Sequence, residues 1–486
     1  MAERAQCKYF EACELLEDTR VGDDLYCVLH PPPGPAKDVQ KFGQVVADYL
    51  AKGRSDFRWV YFPTESPSFQ GRRFQEAVDF RGASFGGMLN LTDTTFDRGV
   101  FLGGPEFRNV DLSRARVRGP LRVEGRISNT LRLHQAVLEN LAEVRVDDRI
   151  HVQAYAARFD GKLSVHAQVI GSLELQDASL RHGLSLRGRY ESTPGVRFER
   201  ARIEGDLDFR ECDLDLHLAF NEAVFDPNST LDLEGARVHG TFVLAGLPVI
   251  PGKIRLNGAR FDQAASIEAA LGAQRSRIIA AEKRPLFGGP VTLTNVDLRE
   301  CLLVGNAVGR IEFWNVEWPR RRGRYTLRDE NVYRHTGGIP PSNLREAYQV
   351  LKQKYHDKGD HVRAGDFHYG EMEMKRREYG WPRRYISPEF LYWLFSGYGM
   401  GYVRAFLWLV ALLVGCGLLY WRRSPAAFPE GIQEAMRFSL SVAAFQRPEV
   451  PKEFGALPRW VHIAEVVLSP VIAALFVLAL RMRLKR

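Results

Sequence analysis

Three groups of residues have types and spacings that could do chemistry. The first is Cys7, Cys13, Cys27 and His30, arranged C-x5-C-x13-C-x2-H. Zn2+ takes four thiolate or imidazole ligands in a tetrahedron, and these four side chains could supply them. A segment this short has no core of its own, so bound Zn2+ would supply its folding energy as a structural knuckle. No neighbouring base or fifth group points to a catalytic metal. The competing reading is a few buried thiols and a surface imidazole. The second group is His462 and Glu465, three residues apart on one helix face inside an apolar run. An ionisable group at the centre of a span costs about 2.5–3.5 kcal/mol on insertion scales, so it faces protein or water. Glu465 is expected to line a pore or to pair with His462 or Arg437 as a gate; otherwise Glu465 and His462 both lie near the outer interface and snorkel. Pro470, further along, removes a helix hydrogen bond and could act as a hinge. The third group, Gly359, Asp360, Gly365, Asp366 and Glu371, sits with His361 and His368 in a charged stretch. No nucleophile or phosphate loop accompanies it, so an enzyme is not expected. Cys212, Cys301 and Cys416 read as small buried apolar residues.

Two stretches must hold the second group. From Val403 the chain reads VRAFLWLVALLVGCGLLYW, with no charge between Arg404 and Arg422; from Trp460 to Leu480 it reads WVHIAEVVLSPVIAALFVLAL. At about 1.5 Å per residue each spans a bilayer core of about 30 Å. Between them EGIQEAMRFSLSVAAF is amphipathic and too short to cross, so 430–446 could fold back as a re-entrant helix. Basic flanks, KRREYGWPRR before the first run and RMRLKR after the second, are expected to keep both ends on the cytoplasmic side. The start, MAERAQCKYFEACELLED, has no apolar core typical of a secretory signal. The net charge of +8 is concentrated in 340–486, with 21 basic and 13 acidic residues; 69–272 is near neutral, with 26 and 28. Anionic lipid is therefore a better partner than nucleic acid.

The middle of the chain is repetitive. Large apolar residues recur at Phe69, Phe74, Phe80, Phe85, Leu91, Phe96, Phe101, Phe107 and Leu112, five or six apart. The unit VDFRGASFGG returns as VRFERARIEG, LDFRECDLDL, LDLEGARVHG and IRLNGARFDQ, with a small residue two before the second large one. Such spacing suits a narrow solenoid with a turn at each corner. The expected order is a Cys3His segment (1–35), a helical cap (36–68), the solenoid (69–272, irregular over 128–170) and closing coils with a linker (273–341). A helix pair (342–380), an interfacial segment (381–402), a first span (403–422), the re-entrant stretch (430–446) and a second span (460–480) follow. The fold class is thus mainly β with an α-helical membrane hairpin.

The repeat resembles the pentapeptide-repeat family, which implies a right-handed β-solenoid with Phe or Leu at its centre. GDHVRAGDFHYGEMEMKRR (359–377), FLYWLFSGYG (390–399) and the two-span hairpin extend the likeness. Together they resemble bacterial membrane proteins that join such repeats to a module akin to two-span potassium channels. That resemblance implies an oligomeric pore, a tetramer by analogy, gated by the cytoplasmic solenoid. It does not imply potassium selectivity. The filter position reads SVAAFQRPEVPKEF, with Phe445, Gln446 and Arg447 where a Thr-x-Gly-Tyr-Gly filter would stand, and no Gly lies between Gly431 and Gly455. The alternative is a membrane-tethered scaffold whose solenoid binds a cytoplasmic protein. A DNA mimic would need a strongly acidic rod, which this is not.

Overall fold

A computed structural model describes residues 7–9, 11, 19–21, 24–30, 38–63, 69–215, 217–270, 272–444, 446 and 448–484. The chain divides into two units, Met1–Pro319 and Arg320–Arg486.

The first unit is a β-solenoid of stacked parallel coils. Its repeat follows from one turn. Gly82 takes a left-handed φ of 74°, and Ala83 N–H donates to the Phe80 carbonyl at 3.1 Å. The same hydrogen bond recurs from Ala115 to Leu112, Ala136 to Leu133, Ala178 to Leu175 and Ala236 to Leu233. These alanines and the Phe, Leu or Val two places on are almost fully buried, because the interior of a coil has room for one small and one large side chain. Cys212 fills the alanine position in its coil. Coils stack in register: Thr95, Arg116, Val137, Arg158 and Ser179 form one column, each 21 residues beyond the last.

That period changes the reading of 128–170. The residues beyond a pure five-residue repeat do not break the solenoid. They lengthen one side into 12-residue strands, Val100–Asp111, Leu121–Arg132, Ala142–Gln153 and Leu163–Glu174, which pair in parallel with bulges. Phe101 also departs from the expected core list. Val100 and Leu102 point inward, while the Phe101 ring lies outside beneath the guanidinium groups of Arg81 and Arg122, at 5.5 and 5.9 Å.

The coils start earlier than Phe69. Tyr61–Phe62 pairs with Ser84–Phe85, and the Phe62 and Phe85 rings stack at 4.5 Å. Helix α1, Val39–Ala51, closes this end: Asp38 caps its first turn, and Phe42, Val46 and Tyr49 are buried. Val39 is exposed because it lies in the first turn, before the packed stripe. At the other end Ile311–Trp314 pairs with Val291–Thr294, and Trp318 is fully buried. The near-neutral surface reflects carboxylates matched to arginines on neighbouring coils, such as Asp93 with Arg114 and Asp177 with Arg200.

The second unit opens with a hairpin, Arg320–Arg321 against Arg324–Tyr325. Its two turn residues, Arg322 and Gly323, both have positive φ (48° and 82°), as a tight primed turn requires. Then come α2 (Arg328–Thr336), α3 (Pro341–Asp357), α4 (His361–Glu378) and α5 (Pro388–Ser396). Leu344, Tyr348, Leu351 and Tyr355 form the buried stripe of α3, packed against Ala364, Phe367 and Met374 of α4. Three helices end the described chain: α6 (Tyr402–Arg423), α7 (Ile432–Ala443) and α8 (Ala456–Leu484). Both α6 and α8 are long and apolar enough to cross a membrane.

Candidate functional site

Three of the four expected metal ligands converge. Cys7, Cys27 and His30 are buried, and their Sγ and nitrogen atoms all lie within 4.8 Å of one another. His30 Nδ1 is 3.5 Å from Cys7 Sγ and 3.1 Å from Cys27 Sγ. Its Nε2 is 3.0 Å from the Arg58 carbonyl. A carbonyl only accepts, so Nε2 carries the proton and Nδ1 turns its lone pair toward the two sulfurs. That is the tautomer a metal-binding imidazole needs. Tyr9 covers the group, stacked on Trp59 with ring centres 5.1 Å apart. The trio could hold a metal ion; Cys13 lies outside the described residues.

The charged stretch on α3 and α4 is engaged in local structure. Gly359 takes a φ of 75° between the helices, and Asp360 caps α4 by accepting from Arg363 N at 2.9 Å. Gly365 is buried in the α4 face. Asp366 accepts the Tyr325 backbone N–H at 3.0 Å, tying α4 to the hairpin. Glu371 accepts from Lys352 Nζ at 2.8 Å and lies 3.3 Å from His368 Nδ1. Burial works against the Glu371 charge, but the hydrogen bonds from His368 and Lys352 outweigh it and hold the carboxyl at about 2.

Glu465 departs from the pairing and the snorkelling expectations. It neither pairs with His462 or Arg437 nor snorkels: it is wholly buried where α6, α7 and α8 meet. Tyr420 Oη of α6 donates to it at 2.6 Å, and Ser439 Oγ of α7 makes a close hydrogen bond to its other oxygen. Ser439 Oγ also lies 3.1 Å from the Leu413 carbonyl. One carboxyl thus joins three helices. Sequence reasoning missed Tyr420 and Ser439, because a hydroxyl partner 26 or 45 residues away leaves no local pattern. His462 packs its ring 5.7 Å from Phe438, and Arg437 is exposed. Tyr420, Phe428, Phe438 and Phe454 form an aromatic cluster beside the carboxyl. At Gly417 a Cβ would meet Met436 Sδ at 2.6 Å, so α6 and α7 come close only because no side chain stands there. Pro470 lies inside α8, which continues on both sides of it. Gln446 is exposed; Phe445 and Arg447 lie outside the described residues.

No family model, curated protein or solved structure matches this chain.

Proposed function

We propose that the protein is a membrane pore, or pore-like effector, controlled from its soluble solenoid. The observation that carries this is the arrangement of the last three helices. Two are long enough to span a bilayer, and a short third is folded between them around Glu465. Outward from that junction the apolar side chains are bare: Val403, Leu407, Val410, Val467, Val471 and Val477 are all exposed. Lipid, or further copies of the chain, would cover them. One hairpin cannot enclose a pathway, so conduction requires an oligomer, a tetramer by analogy. The solenoid and both chain ends would then lie in the cytoplasm of an inner-membrane protein. Potassium selectivity is not part of the proposal, since no filter sequence follows α7.

We also assign Zn2+ to the Cys7, Cys27 and His30 group, with Cys13 as the fourth ligand. Thiolates and a neutral imidazole are a donor set that suits it. Its role there would be structural, pinning the amino-terminal segment near the first coil.

Planar-bilayer recording of the purified protein tests the pore. Single-channel currents that change with Glu465→Gln support it. Silence at every voltage, with a monomer by mass photometry, leaves a tethered scaffold that binds a cytoplasmic protein through its coils.

A further inference from the structure

The basic turn at 320–324 and the helices after it enclose a cavity that none of the roles above uses. Its volume is about 430 Å3, in the range of small-ligand sites. Six arginines line it, against two carboxylates, Asp366 and Glu373. A third carboxylate, Glu330, is fully buried at its edge.

These acids are already occupied. Glu330 accepts from Arg324 at 2.7 Å, from Arg334 at 2.7 Å and from the Tyr348 hydroxyl at 2.5 Å. Glu373 accepts from Arg376 at 2.9 Å, Arg377 at 2.8 Å and the Tyr398 hydroxyl at 3.2 Å. Asp366 holds the hairpin backbone. The arginines therefore outnumber the acids, and two of them are incompletely bonded. Nη1 of Arg321, which only faces the Glu330 carboxylate at 3.6 Å, and Nη1 of Arg324 are buried with no hydrogen-bond partner among the described residues. A buried donor left so is costly, more so when charged, and calls for a missing acceptor. Burial first, and then the Arg334 charge, push the Arg321 guanidinium below its ordinary value, so an anion beside it would relieve a real conflict. Two aromatic walls complete the cavity. Tyr369 lies under Arg324 at 4.9 Å, Trp393 under Arg376 at 5.0 Å, and the Trp393 indole N–H donates to the Tyr369 hydroxyl at 3.0 Å.

We propose that this cavity binds a phosphate-bearing ligand with at least two negative charges, held by the guanidinium groups of Arg321, Arg322 and Arg324. Planar guanidinium forks match phosphate oxygens two at a time, which a point charge does not. The ligand is either a soluble phosphoanion or the headgroup of an anionic lipid.

The cavity is wired to the first apolar helix. The Trp393 carbonyl accepts from Arg404 of α6 at 3.0 Å, and the Leu394 carbonyl accepts from the Trp408 indole at 3.1 Å. Between α5 and α6, Gly397, Tyr398 and Gly399 all have positive φ, and Tyr398 is held there through Glu373. Arg376 and Arg377, which hold Glu373, line the same cavity, and a ligand that drew them toward it would loosen this strained turn. That coupling rests on the pore reading; the site itself does not.

The test uses full-length protein in phosphatidylcholine nanodiscs. Inorganic pyrophosphate, titrated by calorimetry, probes the soluble source. Native mass spectrometry after reconstitution with cardiolipin probes the lipid source. We expect one of the two to bind, and the double variant Arg321→Ala, Arg322→Ala to weaken it at least tenfold. A control that removes the same charge from the solenoid, Arg116→Ala with Arg158→Ala, should bind as wild type does. If the double variant does not fold, Arg322→Ala alone serves, since that side chain is exposed at the turn. Failure of both probes, or equal weakening by variant and control, overturns the site. Pyrophosphate binding with no current in bilayers would remove the pore and keep the site.

Discussion

Glu465 shows how much depends on one side chain. It stands among apolar residues yet is fully enclosed, with a hydroxyl from each neighbouring helix on its two oxygens. Replacing it by Leu leaves the Tyr420 and Ser439 hydroxyls buried without that partner, a cost of about 1–3 kcal/mol. Glu465→Gln keeps an acceptor and a donor and should lose least. Thermal melts in detergent check this order. Equal stability of the Leu variant and the wild type would mean the carboxyl points elsewhere. At the other end of the chain, Cys27 is one of three donors on a compact site. Purified wild-type protein should carry about one zinc per chain, and Cys27→Ser should reduce it by more than half. Metal analysis decides between this and a simple thiol–imidazole hydrogen bond, which would carry none. The metal trio was legible in the sequence because Cys and His are rare and close-set. The partners of Glu465 were not, since Tyr and Ser are common and pair through the fold alone.

At the scale of elements, the solenoid depends on the small residue in each turn. Ala201 is fully buried and follows a left-handed Arg200. Ala201→Leu adds a large side chain where the interior accepts a small one, and should cost about 1–3 kcal/mol. The urea midpoint should fall for Ala201→Leu and stay within error for Ala201→Cys, since Cys212 already occupies the equivalent place. The repeat was legible as spacing. The 12-residue strands were not, because the departures from five looked like noise until the 21-residue register ordered them. The helix pair illustrates a pH-dependent term. The Glu371 carboxyl sits at about 2 when folded, against an ordinary 4.5. Its contribution is therefore complete above about pH 4.5 and fades as pH falls toward 2. Glu371→Gln should lower the melting temperature at pH 7 and make no difference near pH 2, as parallel melts would show. A constant offset across that range would mean the loss is one of packing.

For the whole molecule, the order of parts was readable because each has its own period: near five in the coils, about 3.6 in the helix pair, unbroken apolar runs at the end. The cavity behind the basic turn was not readable. Its arginines come from a hairpin and from α2 and α4, and only folding brings them together. A pore of this kind requires α6 and α8 to cross a bilayer, with their connection on the outer side. Cysteine labelling in intact cells with a membrane-impermeant maleimide tests this directly. Ala426→Cys, exposed between α6 and α7, should label from outside. Met88→Cys, exposed on the solenoid, should label only after lysis. Labelling of Met88→Cys in unbroken cells, or recovery of the protein in the soluble fraction without detergent, would contradict it.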